Sequence, residues 1–322
     1  MEIKTIDKSN QEQFMLLAQK SGTVFNQPEW FSLYDDKVKL YGIYDKDKKL
    51  LGGFHLYHTK RAGLTHITSP PFTPHNGLFF INNSKNKANA ASFEKSIIAL
   101  LADFFETLNY KILTIAFPPK YKDMQPFFWK KFKVIPNYTY QCNLADNTTE
   151  NLLSMMSAER RNDLKKAEKD GINTTLTFNY EGVKKLVQKT FTRKEKSLNE
   201  KILDKIIFSF ANEKNSFAFV SVKDGNELSC AFCIHDGHTA YYLLGGYDTN
   251  NKHQGAGAMA VWKSVQYAKE IGCSVFDFEG SMIIPVEKYL RAFGADLTPY
   301  FTVNKGNILV ENLLKFNKRE LF

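Results

Sequence analysis

From Asp248 to Gly280 the chain reads DTNNKHQGAGAMAVWKSVQYAKEIGCSVFDFEG, and this stretch limits the folds open to the rest. Polar Asn250, Asn251, Lys252, His253 and Gln254 lead into Gly255 and Gly257. Apolar Met259, Val261, Trp262, Val265 and Ala268 then follow at helical spacing. A strand therefore runs into a glycine-rich turn, the turn opens a helix, and the helix feeds a second strand that ends in carboxylates. Glycines let the backbone approach a ligand, and the N–H groups of the new helix point back at the turn, so this is a place for phosphate. A Gly-x-Gly before a helix also serves as a tight turn and nothing more.

In the closing strand, Phe276-Asp277-Phe278-Glu279, alternation puts the two rings on one face and the two carboxylates on the other. Asp277 or Glu279 there could take the proton that an amine must lose on attacking an acyl carbon. Alternatively, Asp277 only receives hydrogen bonds from a neighbouring loop. Lys288 and Arg291 follow shortly, as phosphate-holding cations or as the outer face of a helix. Arg160, Arg161 and Arg193 are spread through the preceding hundred or so residues.

With 322 residues the chain is long enough for two ordinary domains. The punctuation divides it into residues 1–145 and 146–322. Each part reads as helices, a strand meander, a long helix and a strand, which points to structural duplication within an α/β (α+β) class. In the first part the strands are Glu2 to Ile6, Val38 to Tyr44, Leu50 to His58 and Ile112 to Phe117, with a long helix from Ala88 to Leu108. Ser69 to Pro74 is a proline-rich loop. In the second part a single helix from Asn147 or Thr148 to Lys169 carries a basic face, with Leu153, Met156, Leu164 and Ala167 turned inward.

Hydrophobic residues make up 43% and charged residues 24%, a globular balance. No run reaches the ~18 apolar residues of a membrane span, and the N-terminus shows no apolar signal region, so a cytoplasmic protein is expected. The formal charge of +9 suits anionic partners, although solubility alone explains it as well. Cys230, Cys233, His235 and His238 mimic a zinc list. The segment reads instead as a hairpin turning at Asp236-Gly237, and alternation sends the two cysteines to opposite faces. No metal site is expected, nor a Ser-His-Asp arrangement or Walker loop.

Several segments in order, SAERRNDLKKAEKDGI, Thr190-x-x-Arg193, YYLLGGYD, AKEIG, FDFEGS and KYLRAFGA, resemble the FemAB-like branch of the GNAT acyltransferase fold. FNQPEWFSLY resembles the aromatic helix near the start of such proteins. The resemblance implies two tandem GNAT-like domains and an N-acyltransferase whose donor carbonyl is already activated, as acyl-CoA or aminoacyl-tRNA. It implies that Lys252, Gly255 and Gly257 hold donor phosphate, that Asp277 or Glu279 assists deprotonation, and that Arg193, Lys288 and Arg291 fix an anionic acceptor or donor. A cell-wall precursor is the acceptor class of the peptidoglycan-type members. Those members carry a lysine where this chain has Tyr34, read Phe-Lys-x-x-Phe-Gly where it has Tyr289-Leu290-Arg291-Ala292-Phe293-Gly294, and in some cases bear a long helical arm. These departures favour acyl-CoA over tRNA, leaving nucleic acid a partner only if tRNA is the donor. Two readings from other classes are a nucleic-acid module built on the helix Arg160 to Lys169, and a GNAT-shaped binding protein without catalysis.

Overall fold

The structure is a computed structural model describing residues 1–61, 63–193, 199–280, 282–307 and 310–312; the side chains of residues 61, 192 and 193 lie outside the described part. In chain order the elements begin with β1 (Glu2–Thr5), α1 (Gln11–Ser21), α2 (Pro28–Phe31), β2 (Val38–Tyr44), β3 (Leu50–Arg61), β4 (Leu64–Thr68) and β5 (Phe79–Phe80). Next come α3 (Lys87–Thr107), β6 (Ile112–Ala116), α4 (Gln125–Trp129), β7 (Lys133–Asn143), α5 (Thr149–Met155), α6 (Ala158–Lys169), β8 (Asn173–Thr177) and α7 (Glu181–Arg193). The chain continues with α8 (Glu200–Lys205), β9 (Ser216–Lys223), β10 (Asn226–His235), β11 (Thr239–Tyr247), α9 (Ala256–Glu270), β12 (Val275–Asp277), α10 (Ile284–Arg291) and β13 (Asp296–Gly306).

Two compact units result, Met1–Asn137 with Pro299–Phe322, and Tyr138–Thr298. The division falls inside β7 and again inside β13, whereas the sequence punctuation places a single boundary at 145/146. Turn residues mark where strands end; they do not say which sheet a strand joins.

In the first unit the strand order is β1-β2-β3-β4-β6-β13, with β5 on the edge of β3. These strands pair antiparallel except for β4 with β6, a parallel pair that α3 connects. The helix packs Ile97, Ile98, Leu101, Ala102 and Phe105 into a core with Ile43, Phe54, Leu56, Ile67, Leu113 and Ile115. Each such side chain taken from water contributes roughly 1.5–3 kcal/mol.

In the second unit the order is β7-β12-β11-β10-β9-β8. Here β11 and β12 are the parallel pair, joined by α9. That helix is rich in alanine and ends where Gly272, at φ +87°, lets Cys273 N–H return to the Ala268 carbonyl. Its buried Met259, Trp262, Val265 and Ala268 share a core with Phe217, Phe276 and Phe278.

The expected single helix over 148–169 is two helices. Ser157 has extended backbone and its hydroxyl accepts the Arg160 N–H, capping a new helix at α6. Arg161 meanwhile donates to the carbonyls of Ser154 and Met156 at the end of α5. A serine inside a helical pattern had a better use as a cap.

Candidate functional site

β11 and β12 pair over Thr239–Val275, Ala240–Phe276 and Tyr241–Asp277, and no further. β11 runs on to Tyr247 along β10, with Leu243 inserted as a bulge because Phe232 pairs with Leu244 and Cys233 with Tyr242. β12 instead leaves with β7, and Phe278 N–H donates to the Tyr140 carbonyl. Two parallel strands thus diverge, with the N-terminus of α9 following one and the carboxylates ending the other.

The turn before α9 is fastened from behind. Gln254 Nε2 donates to Asp163 Oδ1 at 2.6 Å, and His253 Nε2 lies 3.1 Å from Asp170 Oδ2. Gly255 N–H donates to His253 Nδ1 at 3.1 Å, which makes Nε2 the protonated nitrogen of the neutral ring. Lys166 and His253 hold the Asp170 carboxyl at about 2. Gly255 is forced by packing, because a Cβ there would stand 2.1 Å from the Asp163 carbonyl oxygen. At Gly257 a Cβ would meet nothing closer than the Tyr289 hydroxyl, at 3.4 Å. The two glycines, read alike in the sequence, differ here: Gly255 lets α9 lie against α6, and Gly257 leaves the surface of the first turn bare. Lys252 is exposed on the same turn.

Arg160, one of the three arginines singled out in the sequence, is buried at 5% exposure. Its Nη1 is 2.7 Å from Asp163 Oδ2, and its guanidinium lies 4.3 Å from the ring centre of Tyr289 and 4.9 Å from that of Phe293. Asp163 thus bridges Arg160 to Gln254, linking α10 to the turn before α9 through α6. Gly294 completes this corner with φ +76°, its α-carbon so close to Met155 that a Cβ would stand 2.3 Å from that carbonyl oxygen. Lys165, Lys166 and Lys169 are exposed, as a solvated face requires. Thr190 pins α7 to the end of β11, accepting the Tyr247 N–H at 2.9 Å. The side chain of Arg193 lies outside the described residues.

Asp277 is buried and accepts from Thr139 Oγ1 at 2.5 Å, Gln141 Nε2 at 2.7 Å and the Glu279 N–H at 2.8 Å. Burial raises its carboxyl above the usual range, and these donors pull it back. The last of them bends the chain so that Glu279 has φ +57°, a conformation a glutamate adopts when its surroundings impose it. The Glu279 carboxyl is pushed well above the usual range, by burial first and by the Asp277 charge second. Asp277 is thereby an anchor for the backbone, and Glu279 the carboxyl whose hold on a proton is the more strongly raised.

Lys288 and Arg291 lie on the outer side of α10; Arg291 Nε is 3.0 Å from Glu287 Oε1, which also accepts from the Tyr140 hydroxyl at 2.6 Å. Sequence reading missed Tyr289. Its hydroxyl lies beside Gly257 and its pKa is pushed up to about 12 by burial. The signal was its place in KYLRAFG, read there for its cations. Cys230 faces α7, with Sγ 3.8 Å from the Val183 carbonyl, while Cys233 faces Ser264 of α9, so the strand separates them as alternation requires.

Residues 160–289 match the acetyltransferase (GNAT) domain. Among solved structures, FemX aligns over 98% of this chain and 99% of its own at 14% identity, TM-score 0.68. L-PGS from Bacillus licheniformis aligns over 97% of each chain at 11% identity, TM-score 0.55. A tandem GNAT protein from the clavulanic acid biosynthesis pathway covers 95% of this chain and 98% of its own at 10% identity, TM-score 0.51. Curated protein sequences give no match. Residues 160–289 therefore carry a GNAT acetyltransferase domain, which makes the protein an acyltransferase by its domain match. Over nearly the full length of both chains the fold is similar to that of FemX.

Proposed function

We propose that the second unit moves an acyl or aminoacyl group from an activated thioester or ester to an amine, at the opening between β11 and β12. The observation that supports this is that pairing between β11 and β12 ends at Tyr241–Asp277, after which β11 leads on toward the first turn of α9 and β12 toward Glu279. Donor phosphates sit at Lys252 and the α9 N-terminus, where the bare surface at Gly257 and the helix dipole favour an anion. An acyl-CoA fits this turn better than aminoacyl-tRNA, since among the nearby cations Arg160 is consumed by Asp163 and Lys166 by Asp170.

The amine attacks the acyl carbon, and its departing proton goes to Glu279, which Asp277 holds in place. The N–C bond forms as the C–S or C–O bond breaks. Tyr289, still protonated at neutral pH, supplies a proton to the leaving group beside Gly257. Lys288 and Arg291 meet the anionic part of the acceptor, a role that a cell-wall precursor would satisfy, with Arg193 expected to share it.

Thermal-shift titration with CoA, acetyl-CoA and longer acyl-CoAs tests the donor, because a ligand binding the native state raises its melting temperature. A rise that Gly257→Trp abolishes supports the site. No rise with any CoA ester, together with transfer from aminoacyl-tRNA, would move the donor to tRNA. Absence of transfer from both would remove the catalytic reading.

A further inference from the structure

Immediately after the carboxylates, Met282, Ile283 and Ile284 are exposed at 60%, 44% and 80%. Single exposed apolar residues are ordinary, but three large consecutive aliphatic side chains leading into a helix form a patch. Ile284, Lys288 and Arg291 follow at spacings of four and three, which puts them on one face of α10. Lys288 is exposed, and the Arg291 side chain keeps 62% of its surface. An apolar tip continuous with a cationic helix face is the pattern of a segment that lies at the lipid–water boundary, its aliphatic groups in the acyl region and its cations among headgroups.

We infer that Met282–Ile284 with Lys288 and Arg291 form a docking surface for an anionic lipid membrane. The absence of aromatic rings among these five residues argues against a stacking platform for nucleic acid, and the positive balance of the chain, 43 basic against 34 acidic residues, complements a negative surface. Because the strip begins two residues beyond Gly280, docking would bring Glu279 to the level of an amine carried on a lipid headgroup. This rests on the reading of Lys288 and Arg291 as contacts for an anionic acceptor, and it names the source of that anion.

The test is flotation of the full chain with vesicles of phosphatidylcholine alone and of phosphatidylcholine with phosphatidylglycerol. The expected result is binding to the second kind, weakening with added salt. Met282→Asp with Ile284→Asp lowers that binding by at least about tenfold, since each aliphatic group withdrawn from the interface is worth that much. Lys288→Glu with Arg291→Glu abolishes the preference for the anionic vesicle and serves as a second variant should the first misfold. Phe128→Asp with Trp129→Asp, at another exposed apolar site, leaves binding unchanged. Equal binding to both vesicles, no binding, loss only in the Phe128 and Trp129 variant, or self-association in sedimentation that the Ile284 variant dissolves would each overturn the inference. Vesicle binding is read without donor or turnover, so its failure is separate from failure of the transfer reaction.

Discussion

In the first unit β4 and β6 pair at His66 with Ile112 and Ile67 with Leu113, and the gap beyond is occupied by the chain itself. Asn76 donates from its backbone to the Ala116 carbonyl and accepts the Ala116 N–H on its side chain, while its amide reaches the carbonyls of His55 and Thr68. Trp30 and Tyr34 hold the same proline loop through Thr73 and Pro71. In the second unit the connection after β11 is fastened outward to α6 through Gln254 and His253, and we propose that the opening is left to a ligand. β6 ends in Ala116, Phe117 and two prolines; β12 ends in Asp277 and Glu279. On the proposed function, one scheme of strands serves as a scaffold in one unit and a site in the other, according to what fills the split.

The largest effect expected from this contrast is kinetic. Glu279→Gln should lower kcat/KM by about 10²–10⁴, the range of a general base, with little change in donor affinity. The same variant has a signature in stability. A carboxyl whose folded pKa is raised binds more protons folded than unfolded, so stability is full below the unfolded value near 4.5 and is lost as pH rises through the folded value. Urea titrations across that window should show the fall in the parent and a smaller one in Glu279→Gln.

Arg160→Ala comes next. Leaving Asp163 buried without its partner costs about 3–5 kcal/mol, and the folded fraction should bind donor more weakly because Gln254 loses its fixed anchor. Asn76→Ala should cost about 2–3 kcal/mol through backbone groups left unpaired, yet donor affinity in the folded protein stays at the parent level. Equal loss of donor binding in both variants would break the contrast between filled and open splits. The smallest stability change belongs to Gly257→Ala, within roughly 0.5 kcal/mol in a melt, since its Cβ meets a single hydroxyl at ordinary distance. Gly255→Val, pushed into the Asp163 carbonyl, should exceed it by about 1–3 kcal/mol.

Much of the scheme was legible in local pattern. The strands Val38 to Tyr44 and Leu50 to His58, the long helices α3 and α9, and the alternation Phe276-Asp277-Phe278-Glu279 follow from periods that a side chain imposes on its neighbours. Those signals fixed which faces are buried, and Phe276 and Phe278 lie in the core as alternation requires. They could not show that Asp277 is held by Thr139 and Gln141, because those donors lie on a strand more than a hundred residues earlier.

By itself the sequence determined most of the elements and their order, and the placing of carboxylates and glycines at the ends of elements, but not the break between α5 and α6. Tertiary structure decided what those ends do. Arg160 sits in a series of basic residues along one helix, and whether it faced solvent or Tyr289 depended on α10 arriving from far along the chain. Gly255 and Gly257 are alike in sequence, and the approach of α6 to one and its absence at the other separated them. Periodicity is a property of neighbours along the chain, whereas charge burial, anchoring and the opening of a split depend on partners that folding alone brings within a few ångströms.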